Sequence, residues 1–373
     1  MVRILPVKRH LPSLLFATCV TFPIAAQAER NTHTYDNGTT FSWYGWFHFA
    51  GQAFDDGVTT TTNLVDVTSA GSRFGFYLRG ESPLSFHFET GLGFRPSQRT
   101  SQTNTPDFWD WDRTDLRKVQ LRYDAGWGEV RFGQGSMNMD GGAEADLGDT
   151  AIVAKSNINE LYGSYLFRDS TGALTTVNIG SVFDSFDNGR RFRLRYDSPS
   201  FAGFSVGASY GMEVLRSDVD DRYYDVALRY SRKFDRFEVK GALGTAYTDI
   251  DGGGTEQESA GSISVRDVQT GLDLTLAGGQ NNSGTGQYLW VKAGWRGALT
   301  PVGDTRFVAE VFRGSDYLTR GSDSDMWGLS VIQNFDRQRV EAYLGYKEFS
   351  YADTGPTTYR DTSTWQLGAR WKF

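Results

Sequence analysis

The sequence predicts an all-β protein, a transmembrane antiparallel β-barrel. Three observations carry that prediction: a strictly alternating hairpin with a basic face, an exported leader, and an apolar content arranged in alternation rather than in helical spans. The hairpin is residues 189–211, GRRFRLRYDSPSFAGFSVGASYG. Arg191, Arg193, Arg195 and Asp197 fall on one face, and Phe192, Leu194 and Tyr196 on the other. After the break at 198–203, Phe204, Val206, Ala208 and Tyr210 alternate with Ser205, Gly207, Ser209 and Gly211. Period-two alternation is a strand with two unlike faces. Successive arginines on an inner face suit a wall with lipid on one side and water on the other.

The leader is residues 1–28. It has a basic start (Arg3, Lys8, Arg9), an apolar stretch from Leu14 to Phe22 and the small-x-small site Ala26-Gln27-Ala28. This is the pattern of a secretory signal peptide cut after Ala28, leaving 29–373 as one barrel domain. A membrane anchor needs about 20 apolar residues, and Pro23 interrupts this run. A lipoprotein signal ending at Cys19 is disfavoured by Thr18 before it. Cys19 is the only cysteine and leaves with the leader, so the exported part uses neither disulfides nor thiol catalysis. The chain carries a net charge of −7 and loses only bases with its leader, which argues against nucleic acid as a partner. No later segment approaches an apolar helix span, but barrel strands need only about 9–11 residues, half of them polar. The 43 glycines, 18 tyrosines and 10 tryptophans fit a strand wall with aromatic rims better than a helical core.

In order, the first strand is Thr40–Phe54, with Phe41, Trp43, Phe47 and Phe49 outward and Ser42, Tyr44, His48 and Gln52 inward. A Thr/Asp loop covers 55–70. Strand two, 72–80, places Arg73 and Arg79 inward. Strand three, Leu84–Phe94, sends Leu84, Phe86, Phe88 and Leu92 outward. A long loop bearing PDFWDWDRTD leads to strand four, Leu116–Tyr123, with Lys118, Gln120 and Arg122 inward, and strand five, Gly128–Gln134, with Arg131 inward. The longest connection, 135–188, begins acidic. Strands six and seven are the hairpin, strand eight is Tyr223–Ser231 and strand nine Phe237–Thr248. A Gly-rich loop and a weak tenth strand near Gly261–Val265 precede strand eleven, Leu272–Gly279. Strands twelve (Gln287–Leu299) and thirteen (Thr305–Arg313) put Lys292, Arg296, Arg306 and Glu310 inward. Strands fourteen and fifteen are Met326–Phe335 and Val340–Phe349. The last strand, Thr364–Phe373, alternates most cleanly, with Trp365, Leu367, Ala369, Trp371 and Phe373 outward. The count is sixteen, even, as closure with both termini on one side requires; it becomes fourteen if the weak tenth segment is loop. Short and long connections alternate, which assigns the short turns to the periplasm and the long loops to the outside.

Four stretches carry a family resemblance: SRFGF (72–76), VRFGQG (130–135), RYDSPSFAGFSVGASYG (195–211) and the terminal aromatic Phe373 on an alternating strand. On these the chain resembles the Gram-negative trimeric outer-membrane porins of the general diffusion type, over essentially their whole mature length. The resemblance implies sixteen strands, a homotrimer in the outer membrane, and a third outer loop folded into the lumen to narrow the pore. It also implies passive diffusion of small hydrophilic solutes and ions through a water-filled, charged constriction, with no catalysis, cofactor or metal. The loop matching by order, 136–188, is longer than in many relatives and lacks their short PEFGG-like motif.

The inward parity collects Arg73, Lys118, Arg122, Arg131, Arg191, Arg193 and Arg195 on one side of the barrel. The third loop supplies Asp140, Glu144, Asp146 and Asp149. With that loop in the lumen, basic wall faces acidic loop, a transverse field of the kind that biases ion selectivity. The bland alternatives are solvated lumen arginines and a solvated loop. A calcium site is a third reading of the carboxylates, although their spacing is not that of an EF-hand. A barrel hydrolase is the rival class, but His33, His48 and His87 have no paired serine motif. A solute-specific channel, for sugars, would use Tyr44, Trp46, Tyr288 and Trp290, which share the inward parity and could equally be rim residues. A secreted β-sandwich would also alternate, but arginine recurs opposite apolar faces too often for a buried sheet. Phe373 closes a strand resembling the signal read by the outer-membrane assembly machinery. The expected partners are thus the lipid bilayer, further copies of the chain, that machinery, and small solutes and ions.

Overall fold

Alternation along the chain becomes an antiparallel ladder in which neighbours in sequence are neighbours in space. The computed structural model describes residues 31–373, so the leader and its cut after Ala28 lie outside the described residues. The first strands are β1 (Thr32–Thr34), β2 (Thr40–Asp55), β3 (Thr60–Asp66), β4 (Arg73–Arg79), β5 (Leu84–Gly91), β6 (Leu116–Ala125) and β7 (Gly128–Ser136). The long connection that follows holds helix α1 (Asn159–Tyr162), the small hairpin β8 (Leu166–Arg168) and β9 (Leu174–Asn178), and helix α2 (Ile179–Val182). Then come β10 (Arg190–Asp197), β11 (Phe204–Met212), β12 (Arg222–Lys233), β13 (Phe237–Asp249), β14 (Thr255–Asp267) and β15 (Leu272–Asn281). The chain ends with β16 (Gln287–Thr300), β17 (Gly303–Ser315), β18 (Asp323–Phe335), β19 (Val340–Ala352) and β20 (Thr362–Lys372). β3 pairs with the outer half of β2 and β4 with its inner half, so the two share one position in the wall. Counted so, and leaving out the short β1 and the β8–β9 hairpin, the barrel has 16 strands. Closure is direct, since Trp46–Asp55 of β2 pair with Ser363–Lys372 of β20 and no edge is left open.

Three sequence expectations need correcting. The Thr/Asp loop at 55–70 contains β3, because Thr60–Asp66 complete the ladder against Phe49–Asp55. The weak tenth strand is the full-length β14, and the Gly-rich loop before it shrinks to 250–254. Its alternation is faint because Ser259 and Gly261 stand on its outward face and Glu256 and Glu258 on the other. Strand three ends at Gly91 rather than Phe94, and Phe94 packs instead on the outward ring of Phe49, 5.0 Å between centroids. Connections at one end are short throughout. Those at the other end are long only in the first half, at 92–115 and 137–189.

The outward face is apolar and exposed, as in Leu274, Leu289, Phe307, Leu329 and Leu367. The buried core lies inside the barrel. The third loop brings Ile158, Leu161, Tyr162, Phe167 and Phe183 against the inward-facing Phe54, Phe312 and Phe349. The rings of Phe183 and Phe312 lie 5.3 Å apart, and those of Phe54 and Tyr165 4.1 Å. No helix among the described residues is long and apolar enough to cross a membrane; the strands make the crossing.

At the seam, the N–H of Phe373 donates to the Gly45 carbonyl at 3.0 Å, and the Phe373 ring lies over Gly45 where a Cβ would stand. Gly45→Val should therefore lower the yield of heat-modifiable, SDS-resistant barrel on refolding. Phe373→Ala should lower folded outer-membrane yield while leaving the conductance of assembled molecules unchanged. Wild-type yields from both variants would remove the seam contact from any role in assembly.

Candidate functional site

The third loop, 137–189, runs along the inner wall because the wall supplies partners for its backbone. The N–H of Asn138 donates to Ser209 Oγ (2.8 Å), and that of Met139 to the Asp225 carboxylate (2.6 Å). Further on, Ala145 N–H donates to Ser262 Oγ (2.9 Å) and Leu147 N–H to Ser264 Oγ (3.1 Å). At the far wall Gln52 Nε2 donates to the Leu161 carbonyl (3.0 Å), and the Tyr162 hydroxyl bonds Gln366. Enclosed backbone groups left unpaired cost about 1–3 kcal/mol each, so these inward polar residues determine where the loop lies.

Arg193 and Arg195 belong to this scaffold. They were expected as open pore charges, but their inward parity does not make them water-facing. Arg193 is 1% exposed, and donates to the carbonyls of Gly133 (2.8 Å) and Ser136 (3.0 Å) and to Gln120 (2.5 Å). Arg195 grips Asp197 through two bonds (2.7 and 2.8 Å) and donates to the Met137 carbonyl (2.7 Å). Both hold the point where the chain leaves β7 for the loop. The motif glycines make room for them: a side chain at Gly135 would meet the Arg193 guanidinium, one at Gly211 the stems of Arg191 and Arg193, and one at Gly207 the Asn138 amide. Arg191 lies over the Tyr223 ring, 3.9 Å from its centroid. Arg122 and Arg131 share Glu129 near the 126–127 turn.

The other basic residues converge on Glu89, which is 2% exposed. It accepts from Lys118 Nζ (3.2 Å), Arg73 (3.5 Å), the Tyr44 hydroxyl (2.6 Å) and Arg117 Nε (2.7 Å). Arg117 was not predicted. Simple alternation turns it outward, but β5 and β6 slip register between Glu89 and Thr90, and this bulge re-aims it.

The loop carboxylates are pinned to cations other than the predicted ones. Asp140 faces Arg190 (3.8 Å), Glu144 binds Lys155 (2.7 Å), Asp146 binds Lys292 (2.5 Å), and Asp149 binds Arg296 (2.6 Å). Burial by itself would raise the Asp146 carboxyl. Lys292 and the N–H groups of Thr150 and Gly148 outweigh it and hold the group below the usual carboxylate range. Lys292, Arg296 and Arg306 face inward as alternation places them, but nothing in strand alternation reveals which loop residue reaches them. Among the described residues no group of His, Cys, Asp or Glu is arranged to hold a metal ion.

One cavity of about 520 Å³ unites part of the predicted set. Its bases are Arg73, Lys240, Arg306, Arg370 and Lys372, and its acids Glu144, Asp146, Asp149 and Glu341. Trp46 also lines it, with the guanidinium of Arg73 4.7 Å and that of Arg370 5.7 Å from its ring centre. Lys118, Arg122, Arg131, Arg191, Arg193, Arg195 and Asp140 are not among its lining residues. Glu341 is gripped by Arg370 (2.5 Å), Lys372 (3.0 Å) and Arg306 (3.5 Å). Lys240 is exposed and has no carboxylate within ion-pair distance among the described residues. Of the aromatic residues weighed for sugar stacking, Trp290 and Tyr288 are buried. Tyr44 is tied to Glu89, and its hydroxyl also meets His87 (2.8 Å). His48 is held between Tyr343 (2.8 Å) and the Ala70 carbonyl (3.2 Å).

Glu89→Gln should destabilise the barrel by about 3 kcal/mol, because it leaves buried cations uncompensated. The check is the midpoint of the heat-modifiable shift on SDS gels. An unchanged midpoint would mean that water already screens the cluster.

The sequence matches the family described as Gram-negative porin over residues 15–354. No curated protein matches it in sequence. Among solved structures, the anion-selective porin from Comamonas acidovorans aligns with a TM-score of 0.58 at 14% identity, over 90% of this chain and 100% of that one. The outer membrane channel DcaP of Acinetobacter baumannii gives 0.56 at 10% identity, over 91% and 99%. OmpT of Vibrio cholerae in its trimer form gives 0.54 at 13% identity, over 90% and 99%. At these identities the solved structures speak for the fold; the family match speaks for kinship. With a closed barrel, an apolar outer face and a charged inner cavity, the chain belongs to the Gram-negative porin family, as a multi-pass outer-membrane channel for passive diffusion.

Proposed function

We propose that the chain is a general diffusion pore, assembled as a homotrimer, whose constriction lies at the cavity between the third loop and the inner wall and favours small hydrophilic anions. The observation that carries this reading is the imbalance of free charge in that cavity. Every acid lining it already holds a cation, while Lys240 stands without a carboxylate partner. Paired charges largely cancel at the distance of a passing ion, so unpaired ones set the local potential. The role predicted for Arg73 is retained in this reading, with Arg370, Lys372 and Lys240 added. Arg193 and Arg195 are assigned to holding the loop. Lys118, Arg122, Arg131, Arg191 and Asp140 are read as lumen charges away from the constriction. The trimer rests on the family resemblance and on the trimer form named for one solved relative. A passive pore also suits histidines whose ring nitrogens are already engaged by Tyr343, Ala70 and Tyr44.

Single-channel recording in a planar bilayer, with a KCl gradient across it, tests this reading. Current is expected in steps of three, with a reversal potential on the anion side. Lys240→Glu should move that potential toward cations and change unit conductance by less than about twofold, because the residue supports no buried contact. A cation-selective wild type would overturn the charge assignment. Single steps with no threefold grouping would overturn the trimer.

A further inference from the structure

β3 and β4 share one position in the wall, yet Val67–Ser72 between them leave the ladder. β2 runs unbroken behind the gap, where the His48 carbonyl accepts Val67 N–H (3.4 Å) and the His48 N–H donates to Ser72 Oγ (2.9 Å). The Asp66 carboxylate draws the two ends together by accepting the Ser72 N–H (2.8 and 2.9 Å) and hydroxyl (3.1 Å). The excursion is a single 3-10 turn, Thr68–Ala70, and it points inward. Its Ala70 carbonyl accepts from Trp46 Nε1 (2.7 Å), and its Gly71 carbonyl from Arg73 Nε (2.9 Å), both side chains of the inner face. Ser69 and Ala70 line the same cavity as Asp149, Ala151 and Ile152 of the third loop.

The turn is also braced. The buried Ser97 hydroxyl accepts Thr68 N–H (3.0 Å) and donates to the Glu160 carbonyl (2.7 Å), which joins the turn to the second and third loops through one oxygen. Non-ladder backbone at membrane depth persists only where it is buried in protein or lines a water-filled space. Here it does both. Its polar groups are held by inner-face side chains, and its crest faces the third loop. The Ser69 hydroxyl is enclosed and has no hydrogen-bond partner, so the turn borders the cavity through its backbone and the edge of residue 69, and no hydrogen bond requires a serine there.

We propose that Val67–Ser72 is a fixed second jaw of the constriction, opposite residues 149–152 of the third loop, and that a side chain longer than serine at 69 enters the gap and changes its size and charge. This rests on the channel reading above. The test compares protein purified from the outer membrane as wild type, Ser69→Glu, Ser69→Lys and Ser69→Trp, by single-channel conductance and by reversal potential in a KCl gradient. Ser69→Glu should move the potential toward cations and Ser69→Lys toward anions, while Ser69→Trp should cut conductance by about half. Charged variants that fold to heat-modifiable barrels yet keep the wild-type potential would overturn the jaw. Should the charged variants not assemble, the neutral Ser69→Gln and Ser69→Trp decide, since neither brings a charge into the wall. Conductance below that of the wild type in both supports the jaw, and wild-type conductance in both overturns it. A wild type that passes no current would instead overturn the channel reading, an outcome distinct from any failure at residue 69.

Discussion

A loop that enters a closed barrel takes its peptide groups away from bulk water, and the wall must then satisfy them. That constraint organises this molecule. Ser209, Asp225, Ser262, Ser264, Gln52 and Gln366 stand on five different strands, and each meets a backbone or side-chain group of the third loop. Arg193 and Arg195 meet the carbonyls at the loop's departure. The motif glycines follow from the same demand, because the wall must thin at 135, 207 and 211 for the guanidinium groups and Asn138 to sit against it.

Polar anchoring fixes the loop's register, and apolar burial stabilises it. Ile158, Leu161, Phe167, Ile179, Val182 and Phe183 are each fully buried. Such a side chain contributes roughly 1.5–3 kcal/mol, against about 1–2 kcal/mol to order each residue's backbone. These terms are comparable, so the loop needs its apolar half to stay folded and its polar half to choose one position. The buried pair of Lys347 and Glu310, with Trp290 Nε1 donating to the same carboxylate at 2.9 Å, belongs to the second kind. Ion pairs of this sort seldom add net stability, but breaking one is costly, and that asymmetry favours a single arrangement over many.

Outward faces are legible in the sequence because lipid asks much the same of each strand, an apolar row at period two, which β14 and the short β3 interrupt with polar or small residues. Sixteen strands and the polarity of nearly all of them follow from that demand. Inward faces answer to local partners, and alternation carries no information about partners. Arg193 and Arg73 have the same parity and the same chemistry, yet one lies under a loop and the other lines a cavity. Arg117 was missed because a bulge breaks the rule that placed its neighbours. β3 was missed because TTTNLVD has too few apolar residues to stand out, its outward edge being exposed near the rim. The inner core was missed for the opposite reason. Phe54, Phe312 and Phe349 are apolar residues at inward positions, and only the presence of the third loop makes them ordinary.

The same distinction bears on how few residues govern permeation. Most lumen charges around this cavity are spent on structure: Glu89 gathers three cations from two strands, Glu341 gathers three, and Glu144, Asp146 and Asp149 of the third loop are each held by a base. A passing ion within one Debye length, about 10 Å at 0.1 M salt, meets these as dipoles whose fields fall quickly with distance. What remains to act on it is the residue without a partner and the backbone without a strand. Lys240 is such a residue, and the turn at Thr68–Ala70 such a backbone. Both border the same cavity. Selectivity in this barrel is then a small difference left over from a large amount of internal pairing, which is why single substitutions at its unpaired positions can change permeation without disturbing the fold.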